Sequence, residues 1–346
     1  MYKILAYFIV ITFCVTIFGQ TDEAPKDVSW KEINKLVQDY SKDETNSDEI
    51  AQKLINALQR YLSQENEDED RVKIAINLII SVNKKLAKFD EVLKLAKKYI
   101  TEDLSNSIQH FLHIEELNSL FNLAKHEDLV KSADAYLQLL NKLEVTDEVR
   151  VFQTKTLVFK AKSLIMLEKA ETESIVKEID KIIEKFENGS KILSVKLEKT
   201  ELQRFEVLHT GAKLADWNAY DFDDEPVNLS DYNGKKVVLM FWASWEGKCS
   251  YFFEKKLEKF LKLLDDQNIE FIAISAELVK DQKIFLENTE FSCKFLFDKQ
   301  SKVTRTLFVE GLPYFVYVDE NSKVLDSGDL NFFDKLSASI DKSDDK

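Results

Sequence analysis

Apolar residues in the first half of the chain recur at helical intervals. Ile33, Leu36, Val37 and Tyr40 fall at i, i+3, i+4 and i+7, and Val72, Ala75, Ile76 and Ile79 repeat the spacing. Each set lines one face of an amphipathic helix. The same pattern predicts helices over 48–63, 71–88, 90–100, 104–125, 127–144, 147–168 and 172–187, with acidic 64–70 as an exposed connector. Between Pro25 and Gly189 there is no glycine and no proline. A sheet over that distance would need turn residues, so this half is expected to be all helical. Asn188-Gly189-Ser190 interrupts it, 191–209 reads as one more helix, and Gly211 is placed to end that helix in a left-handed conformation.

The helical half repeats itself in outline. Residues 87–93 align with 124–130 at an offset of 37, and a third turn near 168–172 follows roughly 45 residues on. Such offsets suit stacked hairpins of the tetratricopeptide kind. A plain helical bundle is the alternative, because the Trp, Gly and Pro signposts of those repeats are missing.

Past Gly211 the pattern changes. A turn-rich approach (229–232, Gly234) leads to 237–245, an almost unbroken apolar run of the kind a central strand buried on both faces requires. A helix (250–266), a strand (269–276), a helix (279–288), a short strand (293–297) and a helix (301–308) come next. Strands over 314–318 and 323–326 and a terminal helix from Phe332 complete the alternation. Strands alternating with helices imply a wrapped sheet, with ligands at the strands' carboxyl ends.

Composition sets the setting. Lys3 followed by apolar 4–18 and small Gly19 has the outline of a secretion signal over 1–19. The run is shorter than the ~20 residues a spanning helix needs, and an uncleaved anchor is the alternative. Cys14 lies in that segment, so the mature chain would hold two cysteines, Cys249 and Cys293, too few for a disulfide scaffold. The formal charge of −14 argues against a nucleic-acid partner. The expected organisation is a signal (1–19), an α-helical domain (28–210) and an α/β domain (211–346) exported to a bacterial periplasm or another secretory space, with no membrane contact after signal cleavage.

Three motifs carry a resemblance. Asp231-x-x-Gly234-Lys235-Lys236-Val237-Val238-Leu239 leads into Phe241-Trp242-Ala243-Ser244-Trp245-x-x-x-Cys249. Gly311-Leu312-Pro313 precedes Tyr314-Phe315-Val316-Tyr317-Val318-Asp319. Residues 211–340 resemble the exported thioredoxin-like thiol–disulfide oxidoreductases of the TlpA/ResA type. The resemblance implies a central mixed sheet flanked by helices, a cis Pro313 facing the redox pair, and active-site positions at Trp245, Glu246, Gly247, Lys248, Cys249 and Pro313.

The family mechanism uses two thiols. The first, at a helix N-terminus, attacks a disulfide as a thiolate, and the second, one turn inward, resolves the mixed disulfide. In this sequence Glu246 holds the attacking position and Cys249 the resolving one. A carboxylate suits the positive end of a helix but cannot enter a disulfide. Phe252, Glu254 and Lys248 also stand where the family often has Glu, Pro and Pro. Cys293, at the start of its strand, is expected at the opposite end of the sheet from the site.

Two functions follow as expectations. In one, the face around Trp245, Glu246 and Pro313 docks a protein or extended peptide without electron transfer, the helical domain offering a second surface. In the other, Cys249 alone works through mixed disulfides. A peroxidase-like use of Cys249 fits less well, since Glu246 stands where peroxiredoxins carry threonine. His110 and His113, at i, i+3 near Glu116 and Glu127, have the spacing to seed a metal site but lack completing ligands, and His126 and His209 read as solvated or core residues. No phosphate loop, nucleophile elbow or zinc-type cysteine pairing is present, and neither cofactor nor metal is expected.

Overall fold

The computed structural model describes residues 28–42, 48–64, 68–103, 107–169, 172–186, 189–287, 293–330 and Leu336. The expected signal with Cys14, and the terminal helix from Phe332, fall outside the described residues. The chain divides into two compact units, Met1–Thr172 and Glu173–Lys346. That boundary falls ahead of residue 210, where the sequence places the end of the helical domain.

Among its described residues, unit one holds seven helices: α1 (Trp30–Lys42), α2 (Asp48–Ser63), α3 (Glu69–Lys85), α4 (Phe89–Tyr99), α5 (Ser107–Asn122), α6 (His126–Leu140) and α7 (Asp147–Met166). Each packs on the next, and α5 also packs on α7. The turns after α3, α5 and α7 share one geometry. Ala87, Ala124 and Glu168 sit at φ +54°, +53° and +54°. At the first, Ala87 N–H donates to Lys84 O and Lys88 N–H to Asn83 O (3.0 and 2.9 Å). Ala124 and Lys125, and Glu168 and Lys169, repeat this bond pair. It is the left-handed helix ending that satisfies the last free carbonyls, built here without glycine.

Unit two opens one residue into α8 (Thr172–Ile183) and continues with α9 (Gly189–Leu208). Gly211 has φ +91°, as a left-handed ending after α9 requires, and donates its N–H to Val324 O. Among the described residues seven strands follow: β1 (Asn218–Tyr220), β2 (Pro226–Asn228), β3 (Lys236–Phe241), β4 (Ile269–Ser275), β5 (Lys294–Phe297), β6 (Tyr314–Val318) and β7 (Val324–Gly328). They form one mixed sheet in the order β2-β1-β5-β4-β3-β6-β7. β3, β4 and β5 run parallel, while β6, β7, β1 and β2 pair antiparallel. The helices between them are α10 (Gly247–Lys255), α11 (Leu257–Asp266), α12 (Val279–Leu286) and α13 (Lys302–Thr306).

Side chains of β3 alternate between two cores. Val237, Leu239 and Phe241 join Trp217, Val303, Leu307 and Leu208 on one face. Val238 and Met240 join Trp242, Phe252, Phe253, Leu257 and Phe260 on the other. A strand covered on both faces has no polar side to show, which is why 237–241 reads as continuous apolar sequence.

Two details depart from the sequence expectation. β3 ends at Phe241 rather than Trp245, because the chain turns at Ala243–Glu246 to enter α10 (Glu246 N–H to Ala243 O, 3.3 Å). The single helix expected over 250–266 is two, since Lys256 leaves helical angles (φ −122°, ψ −29°). The bend returns Leu257 and Phe260 to the core that holds Phe252 and Phe253.

Candidate functional site

The carboxyl end of β3 is where the motif residues collect. Trp242 N–H still donates to Ile274 O (3.0 Å), extending the ladder by one residue. Phe241 lies abreast of Ile274 on one side and Tyr314 on the other. Pro313, buried and joined to Leu312 by a cis bond, is thereby brought alongside the chain leaving β3. Trp245, 71% exposed, stands at the tip of the loop.

Glu246 caps α10. Its carboxylate accepts from Lys248 N–H at 3.2 Å and its carbonyl from Cys249 N–H at 2.9 Å. A fixed negative charge thus sits at the positive end of the helix. Cys249, one turn in, is fully buried and packs with Trp242, Phe252, Phe253 and Phe315. Burial pushes its thiol up to about 12; contact with the Ala243 backbone opposes this, and the Glu246 and Glu277 carboxylates reinforce it. At neutral pH the sulfur is a thiol, and a thiol is a poor nucleophile.

Glu277, which the sequence reading did not single out, ties the loop down. Its carboxylate accepts from Ser244 N–H at 2.6 Å and from Ser244 Oγ at 2.8 Å. Its own N–H donates to Ser275 Oγ (3.2 Å), and its carbonyl accepts from the buried Gln282 side chain (2.8 Å). The available signal was positional: Glu277 follows the carboxyl end of a parallel strand, where ligating and supporting groups gather.

Cys293 does not join the site. Lys294 lies abreast of Ile272, itself abreast of Leu239. Cys293 is therefore set back from the loop by roughly 15 Å along the strands at ~3.3 Å per residue. A disulfide needs α-carbons within ~7 Å. Both cysteines are free, and burial pushes the Cys293 thiol up to about 12 as well.

The histidines serve packing. His110 Nδ1 lies 2.7 Å from Tyr136 Oη, and His113 stacks on the Tyr136 ring at 4.2 Å. His126 Nδ1 lies 3.2 Å from Ser163 Oγ, and His209 Nδ1 lies 3.0 Å from Phe205 O. Among the described residues no three His, Cys, Asp or Glu side chains are grouped to hold a metal ion. No described helix is long and apolar enough to cross a membrane.

Residues 210–327 match the AhpC/TSA family. Thiol-disulfide oxidoreductase ResA of Bacillus cereus is 26% identical over 125 residues, covering 35% of this chain and 70% of its own length. Among solved structures, a Chlorobium tepidum protein described as thiol:disulfide interchange protein DsbE aligns with TM-score 0.35 and 25% identity, over 38% of this chain and 99% of its own. Peroxidoxin BcpB of Mycobacterium tuberculosis aligns with TM-score 0.35 and 25% identity, over 39% and 97%. Over its C-terminal α/β domain this chain is similar to the AhpC/TSA family and to ResA-type thiol–disulfide oxidoreductases.

Proposed function

We propose that this chain is an exported binding module that keeps the family's docking face and has given up its redox cycle. One observation carries the reading: Cys249 is fully buried with its thiol pushed up to about 12, behind a glutamate in the attacking position. Disulfide exchange needs an accessible thiolate followed by a second thiol, and Glu246 removes the first of these. A single-thiol cycle would still need a thiolate at Cys249, which burial and two nearby carboxylates oppose. The docking residues remain. Trp245 projects into solvent, and the cis Pro313 leads into β6 beside the strand that carries the loop. The occupant of this face is an extended protein or peptide segment. The left-handed turns at Ala87, Ala124 and Glu168 support a hairpin-repeat reading of the helical unit, which would give it a second protein-binding surface.

The test is the rate and pH dependence of Cys249 alkylation in the folded protein carrying Cys293→Ser. Labelling only on unfolding is expected. Fast labelling with a midpoint below that of a free thiol would overturn the binding-module reading in favour of single-thiol chemistry.

A further inference from the structure

The docking face is wider than the family motif. Trp245 is 71% exposed, Tyr251 51% and Leu278 57%. Each directly follows a residue of one hydrogen-bonded group. Glu277 accepts from Ser244 N–H and Oγ, and Ser250 Oγ lies 3.5 Å from Ser244 O. Ser244, Ser250 and Glu277 are thus held together, and the large apolar side chains next to them in the chain stand in solvent. Single exposed apolar residues are ordinary on a protein surface. A group of them gathered at one place marks an interaction site.

The rim of this patch is acidic. β1 lies beside β5, with Tyr220 abreast of Phe297 and Phe297 abreast of Ser275. The turn that leaves β1 therefore emerges at the same carboxyl end of the sheet as the patch, and it reads Asp221-Phe222-Asp223-Asp224-Glu225. Phe222 fixes the side of the sheet on which that turn lies. Its ring is 6.4 Å from that of Phe295, which in turn packs on Trp242 and Phe253 in the core that holds Cys249. Lys283 of α12, the helix that starts directly after Leu278, sits over Phe222 at 5.5 Å. The acidic turn and the apolar patch therefore both border α12. Lys299 pairs with Asp224, and the Asp221 carboxylate is turned to the Asp223 and Glu225 N–H groups. Asp223 and Glu225 are left exposed. Glu246 adds a carboxylate next to Trp245. Over 221–225, 244–251 and 275–284 there are seven carboxylates and three lysines, so the face is negative as well as apolar.

We propose, given the docking role above, that this face receives a cationic segment of a partner protein. Apolar or aromatic side chains of the segment rest on Trp245, Tyr251 and Leu278, and its lysine or arginine residues face Glu246 and the 221–225 turn. The path from the β3 loop to the β1 turn crosses three strand spacings of ~4.8 Å, about 14 Å, which four or five extended residues cover at ~3.3 Å each. An acidic segment would bring like charge to the rim, and so would an anionic bilayer. A second copy of a chain at −14 would do the same.

The probe is a capped peptide of about twelve residues repeating Lys-Ser-Phe-Ser, long enough to cross the face. It is titrated calorimetrically into the full chain, beside the same peptide with Gln or Glu in place of Lys. The lysine peptide should bind at least about tenfold more tightly than the glutamate one, with an affinity that falls as salt rises. Tyr251→Ser and Leu278→Ser, both changes of exposed side chains, should each weaken it several-fold, as should Asp223→Asn combined with Glu225→Gln. Equal binding of all three peptides, weakened by Tyr251→Ser, would overturn the cationic assignment and leave the docking role standing. Binding of the lysine peptide that ignores Tyr251→Ser and Leu278→Ser would be diffuse attraction to an acidic chain and would overturn the site, as would binding of none. A dimer in sedimentation, or uptake by neutral phosphatidylcholine vesicles, that is lost in Leu278→Ser would give the patch to a second copy or to a bilayer instead. The docking role itself fails by a different readout, fast alkylation of Cys249.

Discussion

Glu277 grips Ser244 with both carboxylate oxygens, at 2.6 Å from the backbone N–H and 2.8 Å from the hydroxyl. The two residues lie at the ends of adjacent parallel strands, so one side chain pins the loop that carries Trp245, Glu246 and the start of α10. Replacing Glu277 with Ala removes both bonds from a half-buried site and should destabilise the loop by about 1–2 kcal/mol. Alkylation of Cys249 should then show a component independent of denaturant concentration, the mark of local opening, alongside the steep component of global unfolding. Glu277→Gln, which keeps one acceptor, should fall between.

In the proposed function, Glu246 stands in the position of the attacking thiol. Glu246→Cys places a second thiol at the helix cap, exposed and stabilised by the helix dipole. Insulin-reduction activity should rise on the order of tenfold or more above wild type. Activity remaining at background would show that Phe252 and the buried setting of Cys249 also block turnover.

The left-handed turns of the helical unit offer a stability test. Ala87 and Ala124 hold φ +54° and +53°, a conformation that costs an L-residue roughly 1–2 kcal/mol. Glycine adopts it freely but loses more freedom on folding. Ala87→Gly and Ala124→Gly should therefore each stabilise by about 0.5–1 kcal/mol. The measurement is the urea midpoint at unchanged slope.

Those same turns show where the sequence was informative and where it was opaque. The lack of glycine and proline between Pro25 and Gly189 correctly excluded a sheet, and the period of three to four correctly placed the helices. It hid the chemistry of the turns, because alanine and glutamate in left-handed positions give no compositional signal. In the second unit the run 237–241 was legible because a strand covered on both faces is apolar throughout. β1 and β2 were not, being three residues each and joined by a polar turn in which the Asp221 carboxylate accepts from Asp223 and Glu225 N–H. The motif positions Trp245, Glu246 and Cys249 were reached through the family resemblance of the surrounding sequence. Glu277 was not, since its role depends on which strand lies beside β3.

The buried centre of α5 sets a pH dependence. Burial pushes His113 down to about 4, from an ordinary value of 6.5. In the unfolded chain the ring takes up a proton near pH 6.5, while in the fold it resists until near pH 4. Between those values the unfolded state binds more protons, so stability must fall as pH falls. His113 thus contributes stability that is fully present above pH 6.5 and is lost as pH drops toward 4, by about 3 kcal/mol at most. Glu116, on the same helix, has its carboxyl raised by burial and acts in the opposite sense, favouring the fold at low pH. Since carboxylates elsewhere also titrate on acidification, the informative quantity is a difference between variants. His113→Phe keeps an aromatic ring against Tyr136 and removes the titration. Its urea-unfolding free energy should change less between pH 7 and pH 4.5 than that of wild type. An unchanged pH slope would mean that the histidine does not titrate in this window.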